Sequence, residues 1–125
     1  MKKIISTPNA PKAIATYSQA VEANGMLFIS GQIAIDPATG KLVEGGIEEQ
    51  TSQVMKNIGA ILTAAGYTYE HVVKTSCLLS DISDYPRVNS IYGTFFPENP
   101  PARAAYAAAA LPLGALIEIE SYACR

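Results

Sequence analysis

A domain that mixes strands with helices is what this sequence predicts, and three features predict it. An Asn-Gly pair separates two apolar stretches near the N-terminus. A helical stripe runs from Ile47 to Ala65 and stops at a glycine. A β-branched run follows at residues 72–82. With 125 residues, 49% of them apolar, the chain is long enough for a real core and most simply forms one domain over residues 1–125.

In chain order, Asn24-Gly25 divides Ser18–Ala23 from MLFISGQIAI at 26–35. Asn-Gly between apolar runs is the strongest short-range hairpin signal, so both stretches are expected as strands. Asp36-Pro37-Ala38-Thr39-Gly40 has the residues of a turn. Val54, Ile58, Ile61, Leu62 and Ala65 then recur at helical spacing, and Gly66 supplies the usual stop. VVKTSCLLSDI at 72–82 reads as a strand. Asp84 is placed to cap a second helix with Pro86 in its first turn. Val88, Ile91, Tyr92 and Phe95 form that helix's buried face, and Pro97, Pro100 and Pro101 end it.

The last segment reads as a hairpin, Arg103–Ala110 and Ala115–Ala123, joined through Leu-Pro-Leu-Gly. The run Ala107–Ala110 argues against it, because alanine prefers helix. Strand is nonetheless expected, since the segment follows Pro100-Pro101, faces a clear strand partner and carries small side chains suited to close approach by another layer.

A net charge of −2 and a pI near 5.3 speak against a nucleic-acid partner, which usually demands a basic patch. No run of eighteen apolar residues is present, and the N-terminus lacks an apolar stretch of signal-peptide length. A cytoplasmic protein with no membrane association is expected. Cys77 and Cys124 have neither metal nor redox spacing and are expected as free thiols. His71, the one histidine, has no ligand or nucleophile spacing around it and suits a capping or surface role better than a metal site or a triad. No phosphate-binding or dinucleotide glycine loop occurs. What remains is unassisted acid–base or binding chemistry on a small molecule, without metal or cofactor.

Two charges stand out in the nearly uncharged C-terminal segment. Arg103 offers a planar fork that matches a carboxylate in two parallel hydrogen bonds. Glu118 can hold or move a proton. Brought together, they could bind a small carboxylic acid and do proton chemistry on it. The plainer alternatives are a salt bridge for Arg103 and a solvated acidic strand face for Glu118 and Glu120, which alternate with Ile117 and Ile119.

Six stretches in fixed order carry a resemblance across nearly the whole chain. They are APKAIATYSQAV (10–21), LFISGQIAIDPATG (27–40), EQTSQVMKNIGAIL (49–62), VVKTSCLLSDISDYPRVNSIYGTFF (72–96), PPAR (100–103) and LPLGALIEIE (111–120). Together they resemble the RidA/YjgF reactive intermediate deaminase family. The resemblance implies a chorismate-mutase-like α+β fold, a mixed sheet of about six strands backed by two helices. It also implies a homotrimer enclosing a barrel, with ligand clefts between subunits. The implied activity is hydrolysis of reactive 2-enamine and 2-imino acids, such as 2-aminoacrylate or 2-iminobutanoate, to 2-oxo acids and ammonia. Pyridoxal-phosphate-dependent dehydratases acting on serine or threonine would release these substrates.

Carried over by position, Arg103 is the implied carboxylate-binding arginine, and Glu118, not Glu120, the carboxylate that activates water. Tyr17 lines the cleft, Ser30 and Gly31 close it, and Asn89 lies near it at the start of the second helix. Three departures from the family pattern are visible. Ala15-Thr16 replaces Gly-Pro before Tyr17, Ala104-Ala105 replaces Ser-Cys after Arg103, and Tyr106 stands where a smaller apolar residue is common. No thiol or hydroxyl therefore flanks Arg103, but the backbone amide of Ala105 can still donate to a substrate. The alternative from another class is a non-catalytic trimeric sensor of 2-oxo acids or other small carboxylates. RNA cleavage, also attached to this family, fits poorly with the charge.

Overall fold

In the computed structural model, which describes all 125 residues, Asn24 and Gly25 take φ values of 51° and 75°. That left-handed pair is what a tight two-residue turn requires, so β2 (Ala20–Ala23) folds back on β3 (Met26–Gln32). The Asp36–Gly40 turn likewise closes, with the Gly40 N–H donating to the Asp36 carbonyl at 2.8 Å. It joins β4 (Ile35–Asp36) to β5 (Lys41–Leu42) in a small two-stranded ribbon.

The stretch 26–35 is therefore not one continuous strand. Between Ile29 and Gln32 the pairing of β3 with its neighbour shifts register, leaving an extra residue at Ser30-Gly31. A bulge of this kind bends its strand and re-aims side chains. β3 ends at Gln32, and the chain leaves for the ribbon.

The helix α1 (Ile47–Ala65) forms as its stripe predicts. Val54, Ile58, Ile61 and Leu62 are buried, and Gly66 ends the helix at a φ of 80°. β6 (Val72–Leu79) follows, shorter than the expected 72–82 because a 3₁₀ turn at Ile82–Asp84 takes over. Asp81 is the acid that caps this turn, accepting the Ser83 N–H at 2.9 Å. Asp84 holds the position before α2 (Tyr85–Phe95) as expected, but its carboxylate engages the Arg87 guanidinium and caps nothing. Pro86 is accommodated in the first turn, and Val88 and Tyr92 are the buried residues of the helix.

The C-terminal strands, β7 (Ala102–Ala107) and β8 (Ile117–Cys124), both form, but they are not a hairpin. The six-stranded sheet runs β1-β2-β3-β8-β6-β7, where β1 is Lys3–Ile5. β8 inserts antiparallel between β3 and β6, and β7 lies parallel to β6 at the sheet's edge. A parallel neighbour needs a crossover, and α2 supplies it between β6 and β7. The loop past Ala107 then carries the chain over β6, through a 3₁₀ turn at Pro112–Gly114, to the vacancy beside β3. Ala107–Ala110 forms no helix, and the strand stops at Ala107.

Both helices pack on one face of this mixed sheet. Leu27, Ile29, Cys77, Leu79, Ile117 and Ile119 from the strands meet the apolar faces of α1 and α2 in one core. Each such aliphatic side chain contributes about 1.5–3 kcal/mol through burial. The other sheet face exposes Ile4, Phe28, Val73 and Tyr106, with Phe28 and Tyr122 edge to face at 5.8 Å.

Cys77 and Cys124 are free thiols, one buried and one exposed. His71 ends a short 3₁₀ turn, where its Nδ1 accepts the Thr68 N–H at 2.9 Å, a capping role.

Candidate active site

Arg103 lies on the edge strand β7, and its register partner is Thr75 of β6. Thr75 is buried under α2, where its hydroxyl meets the Tyr92 hydroxyl at 2.7 Å. Partners in a ladder share a face, so Arg103 also points to the helix side. Its Nη1 donates to Asn89 Oδ1 at 2.8 Å, and its Nη2 donates to the Tyr85 hydroxyl at 2.6 Å. The guanidinium carbon sits 5.1 Å from the Tyr85 ring centre and 4.8 Å from that of Tyr92, within cation–π range of both.

Around this group opens a cleft of about 480 Å³ lined by Tyr85, Asn89, Tyr92, Phe96, Arg103 and Ala105 among others. The Ala108 N–H donates to Leu79 of β6. Strand alternation therefore turns the N–H of Ala105 away from β6, out of the free sheet edge. A side-chain cation and a main-chain donor thus share one rim. Cys77, the register partner of Ala105, is no nucleophile here. Burial pushes its thiol up to about 11, with the Arg103 charge opposing only in part, so it stays protonated at neutral pH.

Glu118 belongs to a different cleft. Ile117, Ile119 and Ser121 of β8 are buried beneath the helices, so the alternation sends Glu118 and Glu120 to the opposite face. There a cleft of about 640 Å³ is lined by Tyr17, Ser30, Gly31, Leu113, Glu118 and Glu120, among others. The bulge at Ser30-Gly31 brings backbone against the carboxylate. A Cβ on Gly31 would lie 2.0 Å from Glu118 Oε2, so any larger residue there must push the carboxylate aside. Burial raises the Glu118 pKa above the usual carboxylate value, and the nearby Glu120 charge adds to it.

The loop that carries Tyr17 is fastened by Gln19, which is buried. Its amide nitrogen donates to the carbonyls of Thr7 and Pro11 at 3.0 and 2.9 Å, and its oxygen accepts the Thr7 N–H at 2.7 Å. Ala15-Thr16 closes a tight turn in which the Tyr17 N–H reaches the Ala15 carbonyl at 2.9 Å. Tyr17 itself stays exposed. Ser30 braces the opposite wall, its hydroxyl donating to the Ser18 carbonyl at 2.6 Å.

The site residues read from the sequence therefore fall into two groups. Arg103, Asn89 and Ala105 share the helix-side cleft, whereas Tyr17, Ser30, Gly31 and Glu118 share the cleft on the open face. Within one chain, Arg103 and Glu118 are not brought together, because β6 and the thickness of the sheet separate them. Three further residues around these clefts were not singled out as site residues in the sequence. Tyr85 and Tyr92 line the Arg103 cleft, Tyr92 being expected only as part of the second helix's buried face, and Gln19 fastens the loop that carries Tyr17. The one available signal was the i, i+4 spacing of Tyr85 and Asn89, which stacks both over the same strand.

The sequence family described as Endoribonuclease L-PSP matches residues 7–125. A rat protein named 2-iminobutanoate/2-iminopropanoate deaminase is 54% identical over 123 residues, spanning 98% of this chain and 90% of the rat protein. A crystal structure of a Yersinia pestis protein of the conserved Rid family, described as of unknown function, superposes with a TM-score of 0.98. It is 49% identical and covers the whole of both chains. The Escherichia coli TdcF structure with bound serine has a TM-score of 0.94 at 35% identity, over 98% of each chain. By sequence and by fold, this chain belongs to the Endoribonuclease L-PSP family, the RidA/YjgF group that its sequence resembles.

Proposed function

We propose that this protein hydrolyses 2-imino acids and their enamine tautomers, 2-iminobutanoate and 2-iminopropanoate among them, to 2-oxo acids and ammonia. The observation that carries this reading is the state of Arg103. Its guanidinium is fixed on both terminal nitrogens yet lines an open cleft, as a two-point grip on a small carboxylate requires. The name of the rat relative supplies the substrate class.

In this reading the two clefts are halves of one site, completed when copies of the chain meet as a trimer. The exposed Ile4, Phe28, Val73 and Tyr106 on the open face, and the outward Ala105 N–H at the sheet edge, support such packing. Arg103 and the Ala105 amide hold the substrate carboxylate. Glu118 from the other half takes a proton from water, whose oxygen bonds to the imine carbon while the C=N electron pair moves to nitrogen. The nitrogen of the resulting carbinolamine takes the proton from Glu118. Glu118 then takes the carbinolamine's hydroxyl proton and passes it to the nitrogen, so that the C–N bond breaks as the carbonyl forms and ammonia leaves. The imine is already electrophilic, so orientation and one proton shuttle suffice. Burial, and then the Glu120 charge, raise the Glu118 pKa above the usual carboxylate value, which makes it a stronger proton acceptor than an ordinary carboxylate.

The test couples the protein to threonine and threonine dehydratase, with semicarbazide trapping the free imine. Faster release of 2-oxobutanoate, lost in Arg103→Ala while the assembly's mass is unchanged, supports the enzyme. The second reading is a non-catalytic sensor of small carboxylates, with which the bound serine of the Escherichia coli TdcF structure is equally consistent. Tight binding of 2-oxobutanoate without any acceleration would decide for the sensor.

A further inference from the structure

We infer that Tyr85 is a positioning residue for this reaction, setting the plane of the Arg103 guanidinium through its hydroxyl and its ring. The inference rests on reading Arg103 as the carboxylate ligand.

An arginine has no hydrogen-bond acceptor, so in the 2.6 Å contact Nη2 donates and the Tyr85 hydroxyl accepts. The corresponding contact of Nη1, at 2.8 Å, goes to Asn89. Both partners come from the first turns of α2, four residues apart, and so stand on one helix face. A single anchor would leave the guanidinium free to turn about its bond to the side chain. Two anchors, one on each terminal nitrogen, define its plane. Each of those nitrogens keeps a second hydrogen, and the pair can meet the two oxygens of a carboxylate. The Tyr85 ring, with its centre 5.1 Å from the guanidinium carbon, braces the cation further.

Asn89 alone would not achieve this. It fixes one nitrogen, whereas the angle at which the other meets an incoming carboxylate depends on the Tyr85 oxygen. Tyr85 is half-buried and lines the cleft, so it holds Arg103 from within the ligand space. Its effect belongs to ground-state capture of the carboxylate, because the water and the proton are handled at Glu118.

Tyr85→Phe keeps the ring and removes the oxygen, and Tyr85→Leu removes both. The dissociation constant for 2-oxobutanoate is expected to rise about fivefold in Tyr85→Phe and further in Tyr85→Leu. KM follows this trend while kcat stays within about twofold. Nitrogen-15 NMR of the guanidinium groups gives the direct readout. Rotation of the Arg103 terminal nitrogens is slow in the unaltered protein and speeds up in Tyr85→Phe. Unchanged binding and unchanged rotation in the Phe variant overturn the inference, as does a loss confined to kcat. If the unaltered protein neither turns over the imine nor binds 2-oxobutanoate, the deaminase reading fails. The NMR comparison then still decides whether Tyr85 orders Arg103.

Discussion

Around Arg103 the chain supplies a partner for each terminal nitrogen, two aromatic rings and a neighbouring main-chain donor. Around Glu118 it supplies backbone pressed close, a second carboxylate and burial, and no hydrogen bond that would favour the ionised form. One cleft stabilises its charge and the other destabilises it. On the proposed reading, the difference separates the two tasks of a small hydrolytic site. A group that holds substrate benefits from being pinned, while a group that exchanges protons near neutral pH benefits from an uncomfortable charge.

The severest test of this contrast is Arg103→Ala. Removing two charge-assisted hydrogen bonds is expected to lower kcat/KM on the order of 10³-fold and to abolish 2-oxobutanoate binding. Glu118→Gln, by contrast, is expected to lower kcat about 100-fold while leaving 2-oxobutanoate binding intact. Equal losses of binding in both variants would dissolve the division of labour. Gly31→Ala probes the second cleft without touching a charge. The added Cβ must displace the Glu118 carboxylate, and a fall in kcat of about tenfold with an unchanged melting temperature is expected.

The smallest effect concerns pH. Acting as a base, Glu118 must be ionised, so kcat/KM falls as pH drops through a value raised above 4.5 by burial first and Glu120 second. Glu120→Gln removes the second cause and moves that inflection to lower pH in a pH–rate profile. The stability sign is fixed by the same shift. The folded chain holds this proton more tightly than the unfolded chain does. The contribution of Glu118 to stability is therefore fully present below the ordinary carboxylate value and lost as pH rises through the raised one. Glu118→Gln is expected to flatten that part of a urea-melt series against pH.

Legibility in the sequence tracked how local each determinant is. The stripe from Val54 to Ala65 and the Asn24-Gly25 turn depend on neighbours within a few residues, and both formed as read. The hairpin expected at the C-terminus failed because β8 finds its partners in β3 and β6, far away in sequence. Nothing local announces that a strand will be inserted between two others. The break in 26–35 was equally hidden, since a bulge at Ser30-Gly31 is defined by register against β8. At the candidate site, Arg103 and Glu118 were conspicuous as charges in an apolar segment. Their placement on opposite sheet faces was not, because it follows from pairing with Thr75 and from the burial of Ile117 and Ile119. Tyr85 became visible only once α2 lay over β7.

The pinning of Arg103 also has a thermodynamic consequence. A free arginine side chain gives up about 2 kcal/mol of rotamer entropy when it is immobilised. Here that loss has already been taken at folding, through Tyr85 and Asn89. A four-carbon acid has few atoms with which to compensate for ordering its host, and this host asks little of it. Calorimetry of such ligands would accordingly show only a small entropic penalty from the protein side, and that penalty would grow as the clamp is dismantled.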